Sequence, residues 1–308
     1  MKRTPVSAPA AVLMILLASC STAPKQPDRA TEVKDRAAEA TQFGNAYYRQ
    51  GRYDLAMQFF TQALESNLSV DNETGVIQSY NSIGRVYLAM GRVDDAETSF
   101  LKALAIADPL GGEPLFVTTN NLGELYLRRG DARTALETFR RVLAGPVAGI
   151  SAAETGLLSH NLGSAYKATG DLARAMEWLQ KSLAINLGGR LYEEAAADYY
   201  MIASVYSKQG DHENARRHAE LALEYDKRIE NSLGIVKDLA ALGLIASRAG
   251  DAETAYGFFQ RSYLAATALR STADTRAALE GLIATGETIG RTAEVAAHRK
   301  ALADLSAP

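Results

Sequence analysis

NSIGRVYLAMGRVDDAETSFLKALAI (81–106), NLGELYLRRGDARTALETFRRVLA (121–144) and NLGSAYKATGDLARAMEWLQKSLAI (161–185) are three copies of one pattern, and the pattern decides the fold. Extended in both directions, it places a small residue at Gly44, Gly84, Gly123, Gly163, Ala203 and Gly243, at intervals of 39 or 40. A glycine follows seven positions later, at Gly51, Gly91, Gly130, Gly170, Gly210 and Gly250. An alanine follows twelve positions after the first small residue, at Ala56, Ala96, Ala135, Ala175, Ala215 and Ala255. Agreement at three positions in six registers marks an internal repeat.

Each mark has a physical reading. An apolar residue precedes the first small residue (Phe43, Ile83, Leu122, Leu162, Ile202, Leu242). A tyrosine stands four beyond it (Tyr47, Tyr87, Tyr126, Tyr166, Tyr206), with Ala246 in the sixth register. Positions four apart share one helical face. The first small residue admits a neighbouring helix, and the second ends the helix as a C-terminal glycine. In four registers the next residue is an aspartate (Asp131, Asp171, Asp211, Asp251), suited to cap a second helix. That helix carries the alanine and, four further on, Phe60, Phe100, Phe139, Leu179 or Phe259, with Ala219 the exception. The unit is a helical hairpin, and since one hairpin cannot bury its own face, successive units must stack.

These marks resemble the tetratricopeptide repeat over roughly residues 36–270. The period of about 40 exceeds the usual 34 and is similar to the long repeats of the LGN and kinesin light chain type. The resemblance implies an all-α, right-handed superhelix of about six hairpins with C-terminal capping helices. The stretches at 108–114, 144–151 and 186–190 supply turns between units. After 271 the marks fade, so 272–308 reads as capping helices with a short tail, or as a decayed seventh unit.

The chain opens MKRTPVSAPAAVLMILLASC, with Lys2 and Arg3 ahead of an apolar run from Ala10 to Ala18. That run has the length and charge of an export signal and is about half of the roughly 20 residues needed to cross a bilayer. Leu17-Ala18-Ser19-Cys20 resembles the lipobox of bacterial lipoproteins, in which the chain is cut before the cysteine and the cysteine carries the acyl anchor. Read this way, residues 1–19 are the signal peptide, 20–34 a flexible tether, and 35–271 the solenoid. Ser21, rather than Asp, after Cys20 favours the outer membrane, periplasmic face, and the lipid would be the only membrane contact.

The resemblance also directs attention to the concave face formed by the first helices. Its candidate groove residues are Asn45 and Arg49 in unit 1, Asn81 and Arg85 in unit 2, and Asn120, Asn121, Glu124 and Arg128 in unit 3. Unit 4 offers His160, Asn161 and Lys167, unit 5 Tyr200 and Lys208, and unit 6 Arg248. The asparagines have two readings: a ladder for the backbone of an extended peptide, or ties between adjacent helices. The basic residues, one per unit, suit an acidic segment or terminal carboxylate, or are solvated charges at helix C-termini. The positions at which chaperone-binding repeats clamp a terminus hold Thr41, Asn45 and Ser82, of which only the asparagine matches.

Composition narrows the function classes. Of 308 residues, 33 are basic and 36 acidic, which leaves no excess for a nucleic-acid backbone, and one cysteine builds no disulfide framework. His160, His212, His218 and His298 have no metal-ligand spacing, and the Gly-Asp turns are not phosphate loops. The expectation is a non-enzymatic adaptor without cofactors, holding an envelope protein or peptide segment in its groove. Two alternatives stand beside it: a scaffold that self-associates through convex or capping surfaces, and a non-catalytic subunit of envelope polysaccharide or cell-wall machinery.

Overall fold

The computed structural model describes residues 29–144 and 150–305. These residues form fourteen helices: α1 (Arg29–Arg49), α2 (Tyr53–Ser69), α3 (Glu73–Ala89), α4 (Val93–Leu110), α5 (Gly112–Arg128), α6 (Ala132–Ala144), α7 (Ala152–Thr169), α8 (Leu172–Gly188), α9 (Tyr192–Gln209), α10 (His212–Arg228), α11 (Ser232–Arg248), α12 (Ala252–Ala268), α13 (Thr272–Thr288) and α14 (Thr292–Asp304). They pair as seven hairpins.

The turn inside each hairpin is a Schellman motif. At Gly170 the backbone is left-handed, φ 86°, and the Asp171 amide reaches back to the Tyr166 carbonyl at 3.0 Å. The same bond recurs from Arg52 to Tyr47 and from Asp251 to Ala246. Because only the carbonyl is used, Ala246 serves as well as tyrosine. The residue after the turn glycine works in one of two ways. Asp131, Asp171, Asp211 and Asp251 each accept the backbone amide three residues on, the capping expected of them. Arg52 and Arg92 instead lie over the rings of Tyr47 and Tyr87, at 4.9 and 4.5 Å.

Packing inside the hairpin follows the other two marks. The alanines at 56, 96, 135, 175, 215 and 255 are fully buried. A Cβ on Gly44 would stand 2.5 Å from the Phe60 ring, so the first small residue makes room for the aromatic of its partner helix. In the fifth hairpin, Ala203 and Ala219 depart from the pattern together: the larger residue on α9 faces the smaller one on α10, and both are buried.

Turns between units are also left-handed, here mostly at non-glycine residues: Asp71, Gly111, Arg190, Glu230 and Arg270, with φ between 52° and 66°. First helices of successive units touch one another from α1 to α13, whereas successive second helices do not. The first helices therefore form the inner wall of a curved stack.

One boundary differs from expectation, and the C-terminal stretch takes the seventh-unit form of its two readings. Arg29–Lys34, placed in the tether, already belong to α1, since a run without strong apolar periodicity can still extend a helix anchored further along. Residues 272–304 are a seventh hairpin in register, with Gly290 at φ 77° and Val295 buried where earlier units have alanine. Arg291 lies over Tyr256 at 4.5 Å, while Arg299, in the aromatic position, pairs with Glu287 at the end of the stack. Cys20 and the expected signal peptide lie outside the described residues, as does most of the 144–151 turn.

Candidate binding groove

The inner wall presents one row of first-helix side chains per unit, and the structure divides the expected residues among three uses. The asparagines mostly tie helices together. Asn81, buried on α3, donates to Thr118 at 2.9 Å and accepts from Asn121 at 3.0 Å. Asn161 on α7 donates to Asn120 on α5. Each of these amides makes at least one bond to a neighbouring first helix, and Asn81 uses both its donor and its acceptor in this way. Asn45 is half-buried on α1.

The basic row forms a second group. Arg85 stacks on Tyr48 at 4.9 Å, and Arg128 pairs with Glu124 on the same helix at 2.7 Å, both side chains remaining exposed. Arg49 and Lys208 are exposed at the ends of α1 and α9, and Arg248 donates to Ser207 at 2.7 Å. Lys167 is held between α7 and α9, donating to Ser204 at 3.0 Å and lying 3.5 Å from Met201 Sδ. Burial, and then the charge of Lys208, push its ammonium down to about 8. No carboxylate neutralises Arg49, Lys167, Lys208 or Arg248 among the described residues.

The third group is a set of buried acids that the sequence reading did not single out. Asp198, on α9, is fully buried and takes hydrogen bonds from His160 at 2.7 Å, Ser182 at 2.9 Å and Asn186 at 2.8 Å. His160 is thus a helix-to-helix tie. One unit on stands Asp238, 2% exposed, facing Asp226 across the α10–α11 seam. Asn231 donates to Asp226 at 3.0 Å, but Asp238 Oδ2 receives no hydrogen bond from any fixed donor. Burial first, and the Asp226 charge second, push the Asp238 carboxyl up to about 8. Burial raises Asp226 as well, and it raises Tyr200 on α9, to which the Asp238 charge adds. A cavity of about 370 Å³ opens here on the inner wall, bounded by α7, α9 and α11. The signal that could have found it is the 40-residue step relating Asp198 to Asp238 and Asn186 to Asp226. The marks used to define the repeat did not include those positions.

Among the described residues, no group of three His, Cys, Asp or Glu is placed to hold a metal ion, and no helix is long and apolar enough to cross a membrane.

Fold and groove define an α-helical repeat protein with an open inner face. A tetratricopeptide-repeat model matches residues 75–146, 115–188 and 153–228, and a second such model matches 41–69. The chain belongs to the tetratricopeptide-repeat family, and at that level it is a protein-interaction scaffold. A comparison with curated protein sequences returns no match. Among solved structures, a Rap protein complexed with Competence and Sporulation Factor is similar at TM-score 0.67 and 15% identity, over 90% of this chain and 77% of that one. PilW, a type IV pilus biogenesis factor, is similar at TM-score 0.58 and 21% identity, over 78% and 96%. A signal transduction ATPase with a tetratricopeptide repeat sensor, from Pyrococcus horikoshii, is similar at TM-score 0.67 and 18% identity over 85% of this chain; the match spans 40% of the ATPase. These likenesses concern the fold.

Proposed function

We propose that the chain is a lipid-anchored adaptor on the periplasmic face of the outer membrane, whose groove holds an extended segment of an envelope protein during complex assembly. The observation that carries this reading is the row Arg49, Lys167, Lys208 and Arg248 along one wall. Among the described residues these cations have no carboxylate partner, and Lys167 is held in place by Ser204. A segment bearing carboxylates would neutralise the row and relieve the mutual repulsion of Lys167 and Lys208. Asn81, Asn120, Asn121 and Asn161, bonded between first helices, help to maintain the spacing of the wall. The lipobox-like Leu17-Ala18-Ser19-Cys20 supports the anchor, and the similar pilus biogenesis factor fits a role in envelope assembly. Tethering at a shared membrane raises effective concentration, so a weak groove contact suffices.

The test is photocrosslinking in the native envelope from position 244, where Leu244 is exposed on α11. A captured partner that is lost with Lys167→Glu plus Lys208→Glu supports the groove reading; capture unaffected by that charge reversal overturns it. Cys20→Ser should release the protein from the outer-membrane fraction, and retention there would overturn the anchor.

A further inference from the structure

The seam around Asp238 departs from its neighbour in a directed way. In the preceding unit, Asp198 has three donors: His160, Ser182 and Asn186. Forty residues on, those positions hold Tyr200, Ala222 and Asp226. Two donors have become a methyl group and a second acid, and no hydrogen bond joins Tyr200 to Asp238. The two carboxyls lie within hydrogen-bonding reach of each other, a geometry in which they can share a proton. A buried carboxylate without a donor costs far more than a satisfied one, yet here it borders an open cavity rather than packed core.

We propose that this cavity accepts the cationic side chain of a lysine or arginine from the segment lying in the groove, with Asp238 and Asp226 as its acceptors. Ala197, Met201 and Leu233 line the approach, and Leu233 is 53% exposed. They offer an apolar wall to the methylene stem while the charged head meets the acids. The remaining charged or titratable groups around the pocket are His160 from α7, Glu193 and Tyr200 from α9, and Lys237 from α11. His160 is occupied by Asp198, and Glu193 adds to the acidic character. A cation arriving here takes the place of the shared proton, so binding tightens as pH rises. With the basic row on the same inner wall, the groove would select a segment carrying both signs of charge. The inference deepens the groove reading and rests on it for the occupant, but the pocket's preference for cations is tested without the partner.

The probes are acetyl-Ala-Lys-Ala-amide, its arginine counterpart, and a norleucine counterpart that keeps the stem and lacks the charge. Each is titrated into the full chain in detergent and followed by the methyl NMR signal of Met201. The basic peptides should shift that signal saturably at pH 8.5, at least about tenfold more tightly than the norleucine peptide, and more weakly at pH 6. Asp238→Asn should remove the difference. Ala222→Ser with Asp226→Asn, which gives Asp238 two of the donors that Asp198 has, should remove it in a protein at least as stable as the parent. Equal response to the norleucine peptide, or cation binding that survives the double replacement, would overturn the proposal and leave the acids as a proton-sharing pair only. If the pocket takes cations but the envelope crosslink fails, the adaptor reading falls alone; the reverse outcome removes only the pocket.

Discussion

At the scale of single residues, the hairpin interior is a set of matched pairs. Gly44 with Phe60 and Ala203 with Ala219 are two solutions to one spacing between helices. Ala219→Phe alone should therefore overpack the fifth hairpin and cost about 1–3 kcal/mol. Ala203→Gly together with Ala219→Phe should recover at least about 1 kcal/mol of that loss in a double-mutant cycle read by denaturant unfolding. Additive losses would show that the two positions do not share one space. Asp198→Ala strands three donors on two helices, His160 on α7 and Ser182 and Asn186 on α8, and removing such an acceptor costs about 1–3 kcal/mol or more; thermal unfolding measures it. Glycine, tyrosine and alanine marks were readable because they repeat in type. Asp198, Ser182 and Asn186 were not, because their seam changes chemistry from unit to unit while its geometry stays fixed.

At the scale of elements, the two kinds of turn differ in how their backbone is accommodated. Glycine occupies the left-handed position inside every hairpin, whereas Asp71, Arg190, Glu230 and Arg270 occupy it between units. A side chain there is disfavoured by about 1–2 kcal/mol, offset in part by the extra freedom that glycine has when unfolded. Arg190→Gly or Glu230→Gly should thus raise stability by up to about 1 kcal/mol, seen as a higher melting temperature with unchanged helix content by circular dichroism. A fall would mean that those side chains stabilise the turn. Such turns hide in a sequence, since non-glycine residues advertise no special backbone. The seventh hairpin was half-legible for a related reason: Gly290 kept its place, but the alanine position became Val295 and the aromatic position Arg299.

At the scale of the whole molecule, a stack is limited by its weakest seam. Asp238 holds its proton to about pH 8 when folded, against an ordinary value of 3.8. Between those values the folded state carries the extra proton, so stability is lost as pH rises through the window. Lys167 acts oppositely and higher, since its folded value near 8 lies below the ordinary 10.5 and its contribution rises with pH above 8. Melting temperature should fall between pH 5 and 8, and Ala222→Ser with Asp226→Asn should flatten that fall; an unchanged slope would move its origin elsewhere. The register carries one more consequence. Excision of residues 191–230 removes one whole period and joins Arg190, the equivalent of Glu230, to Asn231, the equivalent of Leu191, so the order of positions in the turn is kept. Asp238 would then face His160, Ser182 and Asn186, the donor set now used by Asp198. The shortened chain closes the acidic pocket without altering any residue that surrounds the new junction. The fifth unit thus reads as a spacer whose presence creates a vacancy, a property of the order of the modules rather than of any one of them.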